Sequence, residues 1–91
     1  MLLMPLLLIS ALLRAQSNQS GLVRSAETGQ PVTGATVTLV RTGKAVVSDA
    51  GGAFVIAAAP DDSIKVSAVG FLPLTVKAAE AASIMMPIDP R

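Results

Sequence analysis

The segment SDAGGAF, residues 48–54, contains residue types that catalytic, phosphate-binding and metal-binding sites often use. A serine hydroxyl and an aspartate precede two adjacent glycines, and apolar residues flank the segment. A glycine-rich loop can cradle a phosphate when it joins a strand to the N-terminus of a helix. It can also hold a metal ion or simply reverse the chain direction. The secondary structure on either side must decide among these alternatives.

Ser48 and Asp49 could belong to a catalytic triad, but the chain contains no histidine to act as the general base. A serine–lysine pair with Lys44 or Lys65 has no motif around it. The chain also contains no cysteine, which excludes thiolate nucleophiles and disulfides and, with the missing histidine, thiolate and imidazole metal sites. We therefore expect no enzymatic activity, no catalytic residue and no cofactor.

Asp61 and Asp62 form a second candidate cluster. A hard cation requires about six or more oxygen ligands, and few others are near this pair in the sequence. A Pro-Asp-Asp sequence between strands is typical of a solvated turn, with proline at the first corner and aspartate bonded to nearby amides. The sequence favours a turn and predicts no metal site.

Short apolar runs alternate with turn-forming clusters after Gly21. Several runs alternate apolar and polar residues, which is typical of strands with one buried and one solvated face. Their spacing predicts an all-β sandwich. Residues 77–83 predict a loop with one helical turn. Seven segments are strand candidates: 21–26, 35–40, 44–48, 54–58, 63–69, 72–78 and 83–88.

Particular residues refine this prediction. Pro73 and Pro87 lack an amide proton, so either their strands lie at sheet edges or the two prolines face away from a partner strand. Since strands flank SDAGGAF on both sides, the segment predicts a hairpin in which Gly51 and Gly52 adopt positive φ and Asp49 caps the turn. No helix follows to form a phosphate site. The predicted core comprises Val37, Leu39, Phe54, Ile56, Ile64, Val66, Phe71, Leu74, Val76 and Ile84.

The N-terminal residues 1–15, MLLMPLLLISALLRA, differ from the rest of the chain. Their apolar block is shorter than the roughly 20 residues of a membrane-spanning helix and has the length of the apolar region of a signal peptide. We expect a signal peptide over 1–15, a flexible leader over 16–20 and one domain over 21–91. The alternative is a buried or membrane-surface helix, because no basic residue precedes the block.

An exported chain would reside in the periplasm or at the outer membrane or cell surface, with no membrane span after cleavage. Seven Lys and Arg oppose six Asp and Glu, and removal of Arg14 makes the counts equal. The cations are scattered singly, which does not provide the basic surface that nucleic acids require. We expect no nucleic-acid partner.

Three blocks of the sequence resemble the carboxypeptidase regulatory-like domain. The resemblance covers residues 20–88 and implies a seven-stranded Greek-key β-sandwich of the transthyretin (prealbumin) type, which is immunoglobulin-like. Ser48 replaces the usual threonine, and Gly51 stands where aspartate or asparagine is common, which removes an oxygen ligand. The matching residues are Gly29, Pro31, Val32, Gly34, Ala35, Val37, Ser48, Asp49, Gly52, Phe54, Gly70 and Phe71.

Such domains occur on metallocarboxypeptidases, as free-standing exported proteins and as N-terminal extensions of TonB-dependent outer-membrane receptors. A signal peptide directly before the domain resembles the receptor arrangement, and the end at Arg91 indicates a free-standing copy or a truncated reading frame. The leading hypothesis is a non-catalytic exported binding or scaffold module that assists an outer-membrane uptake receptor. The alternative is a carbohydrate-binding module, although the chain has no Trp or Tyr to stack on a sugar. Unpaired strand edges could also accept a partner strand, or Pro73 and Pro87 could prevent such pairing, and the sequence does not decide between these alternatives.

Overall fold

The computed structural model describes residues 18–90. The predicted signal peptide and its cleavage site lie outside the described residues. Seven strands and one 3₁₀ turn, Ala78–Glu80, form the described part of the chain. The strands are β1 (Asn18–Ser25), β2 (Thr36–Leu39), β3 (Ala45–Val47), β4 (Ala53–Ala57), β5 (Ser63–Ser67), β6 (Leu74–Lys77) and β7 (Ser83–Met86).

Every predicted strand segment overlaps an observed strand, and the 3₁₀ turn falls within the segment predicted to hold one helical turn. The main difference is at β1, which begins before Gly21. Asn18, Gln19 and Ser20 pair with β4, with Asn18 opposite Ala57. Part of the segment predicted as a flexible leader is therefore strand, because β4 is long enough to pair with it.

The strands form two sheets, one of three strands in the order β4-β1-β7 and one of four in the order β3-β2-β5-β6. β1 pairs antiparallel with β4 and parallel with β7. All pairs in the four-stranded sheet are antiparallel. The apolar faces of the two sheets enclose the core, which confirms the predicted all-β sandwich.

Alternation along each strand determines which side chains enter this core. Seven of the ten predicted core residues are buried, but Phe71, Leu74 and Val76 are only half-buried. Leu74 and Val76 belong to β6, an edge strand with no neighbour on one side. Phe71 lies in the loop before β6. The prediction also omitted buried residues, among them Val23 and Met86.

The sheet edges agree with the proline prediction. Pro73 directly precedes β6 and Pro87 directly follows β7, and both strands are edges of their sheets. Within residues 18–90, no helix is long and apolar enough to cross a membrane.

The hairpin predicted for SDAGGAF is wrong. β3 pairs with β2 and β4 pairs with β1, so the segment carries the chain from one sheet to the other. Of its two glycines only Gly52 has a positive φ, 81°. Period-two alternation identifies the inward face of a strand but not its neighbour, which explains the error.

Candidate functional site

Ser48, the first candidate nucleophile, is buried and fully engaged in the fold. Its hydroxyl donates to the carbonyl oxygen of Val32 at 2.6 Å and accepts from the amide of Ala35 at 2.9 Å. Lys44 and Lys65 are exposed, and neither bonds to Ser48 in the part of the chain described. The hydroxyl therefore joins two points of the loop between β1 and β2 and is not available for catalysis.

Asp49 closes the turn that follows, as predicted. Its Oδ1 accepts from the amides of Gly51 and Ala53, both at 2.9 Å. The amide of Asp49 donates to the carbonyl of Ala53, and its carbonyl accepts from the amide of Gly52. The side chain acts on its own loop, where an aspartate commonly stabilises a turn.

Three segments of the chain approach each other closely at Gly52, and they leave no room for a side chain there. A Cβ at this position would lie 2.5 Å from the carbonyl oxygen of Val23 and 3.2 Å from Cβ of Pro31. That carbonyl also accepts a hydrogen bond from the amide of Val32. Because Gly52 has no side chain, it can pack directly against the contact between β1 and the β1–β2 loop.

The first two family-like blocks are bonded directly to each other. The amide of Ser48 donates to the carbonyl of Ala35, and the amide of Gly34 donates to the carbonyl of Ser48. The Thr33 hydroxyl donates to the carbonyl of Ala50 at 3.2 Å. The sequence could not show this contact, because the blocks are separated along the chain and only the fold brings them together.

The Asp61–Asp62 pair forms the predicted turn. The amide of Asp62 donates to the carbonyl of Ala59, and Asp62 Oδ2 accepts from the amide of Ala59 at 3.0 Å. Arg41 donates its Nε to Asp62 Oδ1 at 3.0 Å and its Nη2 to Oδ2 at 3.1 Å. No three acidic side chains cluster in a way that could hold a metal ion among residues 18–90.

The electrostatics of this turn follow from its hydrogen bonds. The guanidinium of Arg41, and then the amide of Ala59, lower the pKa of Asp62 below its ordinary value. The same ion pair raises the pKa of Arg41. The Arg41 side chain is 63% exposed and that of Asp62 is 14% exposed, so solvent screens the pair. The Arg41–Asp62 ion pair therefore links the loop between β2 and β3 to the turn between β4 and β5.

A groove of about 520 Å³ opens beside the bonded blocks, at the end of the sandwich. One wall comes from the β1–β2 loop, with Thr28, Gln30 and Thr33. Apolar side chains of the lining include those of Val69, Phe71 and Ile88. Phe71 and Ile88 form an isolated bridge, which joins the loop before β6 to the segment after β7.

The lining of the groove is uncharged and partly apolar. No charged residue lines it. Val69 is 102% exposed at its rim, and the ring of Phe71 is only half-buried. In the described residues, no hydrogen bond involves the side-chain amide of Gln30. The groove therefore combines apolar side chains with uncharged polar ones.

Comparison with known proteins identifies the family. A comparison with curated proteins gives no match to this chain. The family model described as CarboxypepD_reg-like domain matches residues 19–88, nearly all of the part that the structure describes. The matched range contains both bonded blocks, the turn at Asp49 and the groove. The chain belongs to the carboxypeptidase regulatory-like (CarboxypepD_reg-like) domain family, whose expected β-sandwich it adopts.

Proposed function

We propose that this chain is a non-catalytic, exported binding or scaffold module that works beside an outer-membrane uptake receptor. The family membership over residues 19–88, placed directly after an apolar segment with the length of a signal peptide, carries the proposal. Ser48, Asp49 and Asp62, the candidates for chemistry, are engaged in turns and loops. A binding role accounts for these features without requiring a reactive side chain.

The groove is the surface through which the receptor would be contacted. Its exposed Val69 and half-buried Phe71 offer apolar contact area, and Thr28 and Gln30 supply polar groups at the rim. Apolar area with few polar partners is the usual composition of a binding site. Because no charged residue lines the groove, a neutral, partly apolar segment of the receptor fits it best.

Site-specific photo-crosslinking in envelope fractions tests this proposal. A photoreactive amino acid at Val69 should crosslink to an outer-membrane receptor, because this position is fully exposed at the groove rim. The matched control is the same amino acid at Val47, which is 63% exposed on β3 and lies outside the groove. The proposal fails if Val69 recovers no outer-membrane receptor, or if both positions recover the same proteins.

Export itself has a separate test. The chain recovered from an envelope fraction should begin at Gln16, since cleavage is expected after Ala15. N-terminal sequencing or the intact mass of the purified chain gives the answer. A chain that retains residues 1–15 in the cytoplasm would contradict the export step, whatever the crosslinking shows.

A glycan-binding role is the second candidate, and the position of Phe71 favours it. Phe71 packs against the edge of the core but is only half-buried, and it lines the groove together with Gln30. Aromatic rings stack on apolar faces, and amides bond to hydroxyls, so the groove offers both elements of neutral sugar recognition.

Calorimetric titration with a panel of neutral oligosaccharides tests the glycan role. Binding should be lost in Phe71→Leu, which keeps an apolar side chain but removes the ring, and reduced in Gln30→Ala. Thr75→Ala, exposed on β6, is the control that should leave binding unchanged. The absence of heat with every sugar would eliminate this role.

A further inference from the structure

Met85 and Met86 are adjacent in β7, and alternation along the strand turns their side chains to opposite faces of the sheet. Met86 is 0% exposed in the core, whereas Met85 is 45% exposed on the outer face. The chain contains no cysteine, and its other two methionines, Met1 and Met4, precede residue 18. Among residues 18–90, Met85 therefore carries the one sulfur atom that solvent can reach.

The position of Met85 in its sheet leaves one of its flanks open. β7 is an edge strand and pairs only with β1. In the parallel register Arg24 of β1 lies beside Met85, and Leu22 lies beside Ser83. Residues in register on neighbouring strands share a face, so Arg24, Leu22 and Met85 all lie on the outer face of the three-stranded sheet. A small oxidant in solution can thus approach Met85 from this face and from the open edge.

Arg24 supplies a partner for an oxidised methionine but not for a reduced one. Its side chain is exposed and makes no hydrogen bond or ion pair among residues 18–90. A guanidinium carries five N–H donors, and a thioether sulfur accepts only weakly. The oxygen of a sulfoxide accepts far more strongly, because the S–O bond is polarised, and a charged donor strengthens the hydrogen bond further. Arg24 is therefore placed to stabilise the sulfoxide form of Met85.

We propose that Met85 is a reversible oxidation site, which peroxides convert to methionine sulfoxide and whose new oxygen Arg24 then binds across β1 and β7. The thioether sulfur attacks one oxygen of hydrogen peroxide, so that an S–O bond forms and the O–O bond breaks. The proton of the transferred oxygen goes to the departing hydroxide, which leaves as water. The sulfur loses two electrons and the peroxide gains them, so no further reactant is needed. Methionine sulfoxide reductases reverse the change.

Oxidation at Met85 changes the surface and leaves the core intact. The outer face of the three-stranded sheet also carries Leu22, which is half-buried, and Val55, which is 59% exposed. A sulfoxide is polar, so the reaction adds a polar group to this face. Oxidation of Met86 would instead place that group in the core, where an unpaired polar group destabilises a fold. The alternation of β7 thus exposes the methionine whose oxidation the fold tolerates and protects the other.

Limited oxidation with hydrogen peroxide, followed by fragmentation mass spectrometry, measures this selectivity on the wild-type chain. In the folded chain Met85 should gain oxygen at least about tenfold faster than Met86, because a buried side chain reacts only after local opening. In denaturant the two methionines should react at similar rates. Met85→Leu should remove the rapid reaction, and Met86→Leu should keep it. Equal rates at the two methionines of the folded chain overturn the proposal, as does a folded chain in which neither reacts.

Thermal unfolding of the oxidised chains tests the role of Arg24. The oxidised wild type should keep a cooperative transition, since Met86 stays reduced. Oxidation should lower the Tm of Arg24→Ala more than that of the wild type, because the sulfoxide then lacks its donor. Lys65→Ala, which removes an exposed cation from the other sheet, should show the wild-type shift. Equal shifts in Arg24→Ala and the wild type contradict binding of the sulfoxide by Arg24. Loss of the cooperative transition on oxidation of Met85 alone overturns the claim that the fold tolerates it.

Discussion

Gly52 is the residue on which the crossing between the sheets most directly depends. Gly52→Val would place a Cβ 2.5 Å from the carbonyl oxygen of Val23 and force a branched side chain to adopt a φ of 81°. Positive φ alone costs about 1–3 kcal/mol for such a residue, and the steric overlap adds to it. We expect the free energy of unfolding to fall by about 3 kcal/mol or more, measured by denaturant titration.

The neighbouring Gly51 provides a matched control for this prediction. Its φ is outside the left-handed region, and a Cβ there would meet only Asp49 Oδ1, at 3.6 Å. Gly51→Val should therefore change stability far less than Gly52→Val. Equal stabilities for the two variants would show that the close packing at Gly52 is not what holds this turn.

The ionisation of Asp62 makes the stability of the fold depend on pH in the acidic range. Its pKa is lowered in the folded chain, first by the hydrogen bond from Arg41 and then by the amide of Ala59. A lowered folded pKa contributes stability that is present above the unfolded pKa and is lost as pH falls through the folded pKa. We expect Asp62→Asn to lower the Tm at neutral pH, with a difference from wild type that shrinks below about pH 4.

Asp61→Asn is the control for this acid dependence, because the Asp61 carboxylate makes no hydrogen bond or ion pair among residues 18–90. The Tm of this variant should follow that of the wild type at every pH. If the deficit of Asp62→Asn remained constant down to the lowest pH, the ionised carboxylate would not be the source of its stabilising effect.

Among the strands, β1 is closely packed on several sides, because it is central in its sheet and also contacts the turn before β7. At Gly21 an added Cβ would overlap the carbonyl oxygen of Ala81 and lie 2.8 Å from Cζ of Phe54. Gly21→Ala should lower the free energy of unfolding by about 1–3 kcal/mol, as overpacking typically does. Gly51→Ala, whose Cβ would make only an ordinary contact with Asp49 Oδ1 at 3.6 Å, should be nearly neutral in the same titration and serves as the control.

The positions of the strands could be predicted from the sequence, but their arrangement in sheets could not. Alternation such as that of Ile64, Lys65 and Val66 reports on the two faces of one strand, and the structure places these side chains as expected. Sheet membership depends on long-range contacts, such as that of the Ser48 hydroxyl with Val32. No local pattern encodes that contact, so the sequence alone predicts a hairpin at SDAGGAF.

The candidate groove also could not be predicted from the sequence. The usual burial of large apolar residues predicts Phe71 in the core. The structure places it in the loop before β6, half-buried against the core, where it bridges to Ile88 and lines the groove together with Thr28 and Gln30. Its neighbour Gly70, which has a φ of 88°, marks a turn at this point of the chain. That turn was the one local signal that Phe71 could lie outside the sheets.

In the molecule as a whole, we expect one phenylalanine, Phe54, to support stability and the other, Phe71, to support binding at the groove. A domain of this length buries only about 60–65% of the surface that its unfolded chain exposes, so its margin of stability is small. Phe54 is 4% exposed, and Phe54→Ala should cost about 3–5 kcal/mol, enough to unfold much of the population. Phe71 is half-buried at the groove, so Phe71→Ala should cost less and leave a folded chain.

Circular dichroism during denaturant titration measures both variants, and crosslinking from Val69 in the Phe71→Ala background measures the groove. We expect Phe71→Ala to retain a cooperative transition while losing the crosslinked partner, because Phe71 contributes apolar surface to the same groove as Val69. If Phe71→Ala unfolded the chain as completely as Phe54→Ala, the ring would be a core residue, and the groove would no longer be a separate surface. If it folded and kept its partner, the receptor would have to contact another face of the sandwich.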